Sequence, residues 1–208
     1  MNDYREGTDM TIYIMRHGQT DKNQAKLLQG RSNVALNETG MEEARAAGEW
    51  FREKGIAFDH VYASPMIRAM QTAELVTGGQ NVTTDERLLE MDYGPYEGMD
   101  LTNPAPEIIT FFSDFVNNPA PDGMEPLSSV ISRMGAFLED LDETEGNILI
   151  ATHAVAMKGA LEYLTPSSNG SYWAKYISTC GVYAVDRTED GFGEAKEVYS
   201  QGGIKEGV

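Results

Sequence analysis

The stretch IYIMRHGQTDKN, Ile12 to Asn23, changes character abruptly at Arg16. Ile12, Tyr13, Ile14 and Met15 are a continuous apolar run, short and partly β-branched, as expected of a strand buried on both faces. Arg16, His17 and Gly18 follow directly. A core strand that ends this way sets two cationic or potentially cationic groups at the rim of a sheet, where rigid backbone fixes their direction.

Outward from this stretch, strand and helix signals alternate. TGMEEARAAGEWFREKG, Thr39 to Gly55, has capping-box spacing at Thr39 and Glu42, and Met41, Ala44, Gly48 and Phe51 share one face. Gly55 sits where a left-handed residue closes a helix. HVYAS, His60 to Ser64, reads as a short strand, and the helix after it has Ser64 as its expected N-cap and Pro65 in its first position. NVTTDERLLE suggests a strand running into a loop at Glu90. VISRMGAFLEDL carries Val130, Met134, Phe137, Leu138 and Leu141 on one face. NILIATH, Asn147 to His153, is a second buried strand that ends in histidine, followed by helical AVAMKGALEYL. GVYAVDR and AKEVYS, joined by Thr188 to Glu194 with its Asp-Gly, form an expected closing hairpin. Alternation of this kind predicts an α/β fold, a three-layer α/β/α sandwich around a mostly parallel central sheet. The whole chain, 1–208, is expected to be a single domain. Residues 92–126, with prolines at 95, 104, 106, 119, 121 and 126 around the aromatic EIITFFSDFV, are expected to be a lid insertion with one short helix.

Composition narrows the function. A net charge of -17 opposes binding to nucleic acid and to anionic membrane surfaces, so neither partner is expected. No apolar run reaches the ~20 residues of a membrane span. The lone Cys180 forms no internal disulfide and the N-terminal MNDYREGTD is too polar for a signal peptide, so a cytoplasmic protein is expected, a monomer or homodimer. The three histidines are far apart in sequence and Cys180 has no cysteine partner, so no metal and no cofactor are expected.

In a parallel sheet, ligands bind at the carboxyl ends of the strands. One strand gives Arg16 and His17 there, another Thr152 and His153. Arg68, one turn into a helix, and Glu90, in a loop, follow two further strands. Arginine forks match phosphate oxygens, neutral imidazole is a nucleophile near neutral pH, and a carboxylic acid can protonate a leaving oxygen. Together they suit phosphoryl transfer. Singly, each has an ordinary reading: a strand-end histidine, a solvated helix arginine, one acid among 33. His60, exposed to that ordinary reading alone, is assigned no role.

RHGQTDKN resembles the RHG signature of the histidine phosphatase superfamily, also called phosphoglycerate mutase-like. The likeness continues through LQGRSNVALNETGMEEA, YASPMIRAMQTAE, LLEMDYGPYEG and ILIATHA in the family's order, from Thr11 to about Val185. The resemblance implies that His17 is a nucleophile that becomes phosphohistidine. It implies that Arg16, Arg68 and His153 hold the nonbridging oxygens, and that Glu90 is the proton donor. Asn23, Gln29 and Gly30 fall where the family's first loop touches phosphate or substrate. Gly18 is expected to let a phosphate approach the backbone, and the flanking arginines to keep His17 neutral.

One departure is Ala154 and Val155, where the family usually has glycine after its second histidine. If the Ala154 amide lies against the phosphate, its methyl narrows the pocket, and a non-catalytic binder of phosphorylated ligands is the alternative of another class. Within the enzymes, the cofactor-dependent mutases that resemble this chain carry basic residues in a longer insertion. Between Met91 and Pro126 there is no Lys or Arg, and there are seven acids: Asp92, Glu97, Asp100, Glu107, Asp114, Asp122 and Glu125. The expected activity is therefore hydrolysis of a small phosphorylated metabolite, with phosphoglycerate mutase as the alternative. If those acids face the pocket, the substrate's remainder should be neutral or cationic.

Overall fold

A computed structural model describes residues 10–141, 144–188 and 191–201. In chain order the elements are β1 (Met10–Arg16), α1 (Asp21–Gln24), α2 (Glu38–Glu53), β2 (His60–Ala63), α3 (Ile67–Thr77), β3 (Thr83–Thr84) and α4 (Pro106–Ser113). These are followed by α5 (Leu127–Glu139), β4 (Gly146–Thr152), α6 (Ala154–Leu164), α7 (Ser171–Ala174), β5 (Val182–Thr188), β6 (Gly191–Phe192) and β7 (Lys196–Tyr199). The strands join in the order β3-β2-β4-β1-β5-β6, with β7 on β5. β1, β2, β3 and β4 run parallel, and β5 turns antiparallel beside β1. The expected mostly parallel sandwich is what the chain forms.

Alternation along the central strands builds the layers, because successive side chains point to opposite faces. Ile12 and Ile14 of β1 with Ile148 and Ile150 of β4 join the core that holds Val130, Met134 and Leu138 of α5 and Ala160 and Leu161 of α6. Tyr13 and Met15 with Leu149 and Ala151 join the opposite core, against Ala44, Ala47 and Phe51 of α2 and Ala73 and Val76 of α3. Both faces of the two strands are thus covered, which is why their sequences are apolar throughout.

Register decides where the site lies. Arg16 pairs with Thr152 and Ala63 with Ala151, so β1, β4 and β2 end side by side. His17, His153 and Ser64 are the next residues out at one sheet edge.

Several boundaries differ from the sequence reading. Asn37, not Thr39, caps α2, its Oδ1 accepting from Gly40 N at 2.9 Å. Gly55 does close that helix with φ +70°. Neither Ser64 nor Pro65 starts α3: the helix begins at Ile67, whose N–H is capped from the first loop by Asn33 Oδ1 at 2.8 Å. That loop contains the short α1, fixed by a capping box between Thr20 and Asn23. β5 and β7 pair antiparallel as expected; Glu189 and Asp190 of the turn between them, like the acidic segment 1–9, lie outside the described residues.

Segment 92–126 carries α4, and its aromatic stretch packs inward: Ile108 and Phe111 are buried in the core, with Phe112 and Phe115 packed against it. The segment is stitched to the first loop by Leu28 N to Met99 O and Leu101 N to Lys26 O, and closed on itself by Glu125 N to Asp92 O.

Candidate active site

His17 is nearly fully buried at the end of β1. Its backbone N–H donates to Thr152 O at 2.9 Å, so the strand ladder continues through the residue. Nδ1 lies 2.7 Å from Gly18 O, and a carbonyl can only accept, so Nδ1 carries the hydrogen. The lone pair is therefore on Nε2, which has no hydrogen-bond partner among the described residues. Burial holds the imidazole's pKa well below the usual histidine value, and Arg68 and then Arg16 add to the effect. The flanking arginines thus reinforce a neutrality that desolvation chiefly sets.

Gly18 serves packing. A Cβ there would stand 2.5 Å from Gly40 O, so this glycine admits the start of α2 rather than a phosphate. Its N–H donates to Thr72 Oγ1 at 3.1 Å, and Thr72 donates in turn to Arg68 O at 2.7 Å.

His153 is fully buried, its ring centroid 5.1 Å from that of His17. Nε2 is 2.8 Å from Ser64 Oγ. Nδ1 has no partner, and neither has Arg16 Nε; these are two of the three buried side-chain polar atoms left unpaired among the described residues. Buried polar groups are normally satisfied, so two orphans beside one imidazole mark a place for an acceptor ligand. Arg16 Nη1 is tied to Ile177 O at 2.6 Å, which aims the guanidinium. Burial, then Arg68 and His17, keep the His153 pKa low as well.

Arg68 is fully buried. Nη1 donates to Ser32 O at 2.8 Å and Nη2 to Gly30 O at 2.6 Å. With the Gln29 amide oxygen turned toward it, Nη1 and Nε also donate to Gln29, at 3.1 and 3.0 Å. One N–H on Nη2 is then left over. Burial pushes its pKa down to about 10, against the pull of Glu90, so it remains a cation at neutral pH.

Glu90 is buried and anchored to the start of α6. Oε1 accepts from Met91 N and Ala156 N, both at 2.9 Å, and Oε2 from Val155 N at 3.2 Å. A carboxylate is well placed there, since the first amides of a helix are unsatisfied and positive. The loop carrying Glu90 is held by its carbonyls. Thr152 Oγ1 donates to Leu88 O at 2.8 Å, and Arg133 Nη1 to Arg87 O and Leu89 O at 2.7 and 2.5 Å.

The register thus brings His17, Arg16, Arg68, His153 and Glu90 together. The other expected site residues lie differently. Gln29 spans Thr20 and Arg68, and Gly30 gives its carbonyl to Arg68 and its N–H to Glu97 Oε2 at 2.8 Å. A Cβ on Gly30 would meet Tyr93 and Glu97 at 2.7 Å. Both residues hold Arg68, Gln29 through its amide oxygen and Gly30 through its carbonyl. Asn23 Oδ1 is used in capping α1. Ala154 is the first residue of α6, and the two amides that follow it are bound to Glu90. Ser64, Thr152, Arg133 and Lys158 were not legible as site residues. Only Ser64 and Thr152 had a signal, their places at the ends of strands on the ligand edge.

Six of the seven acids have partners, three of them cations. Glu97 accepts from Ser32 Oγ at 2.5 Å and pairs with Lys22 at 3.3 Å. Burial opposes its charge, but Ser32, Gly30 and Lys22 prevail and hold the carboxyl below the usual range. Glu125 pairs with Arg133 at 2.8 Å, and Arg31 reaches Glu125 and Asp92 at 3.5 and 3.8 Å. Asp100 and Asp114 bind their own turns, and Glu107 accepts from Tyr96. The expectation of a neutral or cationic substrate remainder loses its basis.

Among the described residues there is no group of three or more His, Cys, Asp or Glu arranged to hold a metal ion. Nor is any helix long and apolar enough to cross a membrane.

The profile of the histidine phosphatase superfamily, branch 1, matches residues 12–198. A broad-specificity phosphatase of Saccharomyces cerevisiae is 38% identical over 189 residues, covering 86% of this chain and 80% of its own. A 2,3-bisphosphoglycerate-dependent phosphoglycerate mutase of Parvibaculum lavamentivorans is 30% identical over 190 residues, covering 84% and 90%. Among solved structures, a phosphoserine phosphatase mutant of Entamoeba histolytica in complex with phosphoserine superposes with a TM-score of 0.75 at 22% identity, covering 93% of this chain and 97% of that one.

Proposed function

The chain belongs to the histidine phosphatase superfamily, and on that premise we propose that it hydrolyses small phosphomonoesters with His17 as the nucleophile. The observation that carries the reading is the Nδ1–H of His17 spent on Gly18 O, which leaves Nε2 as a lone pair beside the unpaired donors Arg16 Nε and His153 Nδ1.

The geometry supports the following steps. Nε2 attacks phosphorus in line and the ester P–O bond breaks. Glu90 Oε2, the oxygen with a single 3.2 Å bond, gives its proton to the leaving oxygen. Arg16, the remaining Nη2 hydrogen of Arg68, and His153 Nδ1–H take the nonbridging oxygens. Ser64 donating to His153 Nε2 selects that tautomer. Water then attacks the P–N bond, Glu90 takes its proton, and His17 leaves as neutral imidazole with inorganic phosphate as product. The cations neutralise the transferred group in a buried site, where such interactions are strong. Segment 92–126 covers this edge of the sheet as a lid, and the enzyme works in the cytoplasm.

A mutase reading is favoured by several relatives named as phosphoglycerate mutases, the Parvibaculum enzyme among them. Incubation with 3-phosphoglycerate and a trace of 2,3-bisphosphoglycerate separates the two. The proposal expects release of inorganic phosphate with no accumulation of the 2-phospho isomer; isomer formation much faster than phosphate release would establish the mutase instead.

A further inference from the structure

Beside the phosphate site stands a cation that the hydrolytic steps do not use. α6 is buried along its first turns except at Ala154 and Lys158, which are only partly covered. Four residues apart, they share one helical face, on the helix that follows His153 and whose first amides hold Glu90. Lys158 Nζ donates to Trp173 O at 2.8 Å and lies 5.6 Å from the centre of the Phe115 ring, itself stacked on Trp173 at 6.0 Å. Four residues beyond Trp173, Ile177 O holds Arg16, so one short segment carries the rests for both cations. That segment is fixed by Glu162, one turn beyond Lys158, which accepts from Gly170 N and Tyr172 N at 3.1 and 2.7 Å.

An ammonium has three donors, and Trp173 O takes one. No carboxylate lies within 4 Å of Nζ among the described residues. The acid in its electrostatic reach, Glu90, is bound to the amides of α6. Burial pushes the Lys158 pKa down to about 8, with Glu90 and Arg16 also in electrostatic reach, which is the mark of a cation short of a counter-ion.

We propose that Lys158 is a specificity-determining residue that pairs with a carboxylate on the leaving-group side of the substrate, so that the preferred substrates are phosphomonoesters of hydroxy acids or hydroxy amino acids. One ammonium with two unused donors suits a carboxylate; a second phosphate would call for further cations, and Arg31 at the rim is already engaged by Asp92 and Glu125. The inference rests on the phosphatase reading.

The test compares substrates that differ only in the carboxylate: phosphoserine with phosphoethanolamine, and 3-phosphoglycerate with glycerol 3-phosphate. The wild type should favour the carboxylated member of each pair in kcat/KM by about 10- to 100-fold, the usual span of a charge-assisted hydrogen bond. Lys158→Met, which keeps the packing under Phe115, should bring both ratios close to one, and Lys158→Arg should restore much of the preference. A wild-type ratio of one or below overturns the inference with no variant needed. So does a folded Lys158→Met with the wild-type ratios. p-Nitrophenyl phosphate separates the two failures: if it is hydrolysed while the ratios disagree, only the role of Lys158 falls, and if the wild type releases phosphate from none of these compounds, the hydrolase reading falls and takes this inference with it.

Discussion

Glu90 sits in a cradle of three backbone N–H groups, from Met91, Val155 and Ala156, so α6 sets its position, and the proposed proton transfer is assigned to Oε2. Glu90→Gln keeps the size, removes the transferable proton and turns an NH2 toward amide donors. The expected loss in kcat/KM on alkyl phosphates is ~10² to 10⁴-fold, and markedly smaller on p-nitrophenyl phosphate, whose leaving group needs little protonation. Equal losses on both would show that Glu90 only positions the site. At this scale the sequence was readable where a residue type broke a pattern: Arg16 and His17 end an apolar strand, and His153 ends another. It was unreadable where an ordinary residue gains its role from a partner distant in sequence. Nothing local distinguishes Arg133 from any solvated helix arginine, yet its Nη1 holds the carbonyls of Arg87 and Leu89. Lys158 likewise matters only because Trp173 and Phe115 fold over it.

The first loop and α2 meet backbone to backbone, and this contact fixes the direction of His17. A Cβ on Gly40 would stand 2.0 Å from Gln19 O, with no flexible side chain to yield. Glycine to alanine in a helix normally gains about 1 kcal/mol. Gly40→Ala should do the reverse here, lowering the melting temperature and kcat together as the 18–19 backbone is pushed from its seat; a raised melting temperature with unchanged kcat would refute the contact. The elements themselves were legible from periodicity, because β1, β4, α2, α5 and α6 carry strong patterns and are buried as those patterns require. Their N-terminal starts were not. α2 is capped by Asn37 instead of Thr39, and α3 is capped by Asn33 from a loop more than 30 residues away, a choice made by tertiary packing. The acids of segment 92–126 were misread for the same reason, since Lys22, Arg31 and Arg133, all outside the segment, neutralise three of them.

For the molecule as a whole, two buried neutral histidines couple the site to stability. Burial holds the pKa values of His17 and His153 well below the ordinary value of 6.5 that they regain on unfolding. Between the folded values and 6.5 the unfolded chain binds more protons, so stability falls as pH drops through this window, by at most about 1.4 kcal/mol per pH unit for each histidine. Melting temperature should therefore decline from pH 7 toward pH 5, and His153→Gln should flatten that slope; an unchanged slope would mean that His153 is not buried neutral. The same neutrality is what the proposed role of His17 as nucleophile requires, and that role is the centre of the account. The most direct test is to quench the enzyme during turnover of a ³²P-labelled phosphomonoester and locate the label. The account predicts an acid-labile, base-stable phosphohistidine at His17, absent from His17→Ala, whose turnover falls by several orders of magnitude while its fold is retained. Label on another residue, or near-normal turnover by His17→Ala, would contradict it.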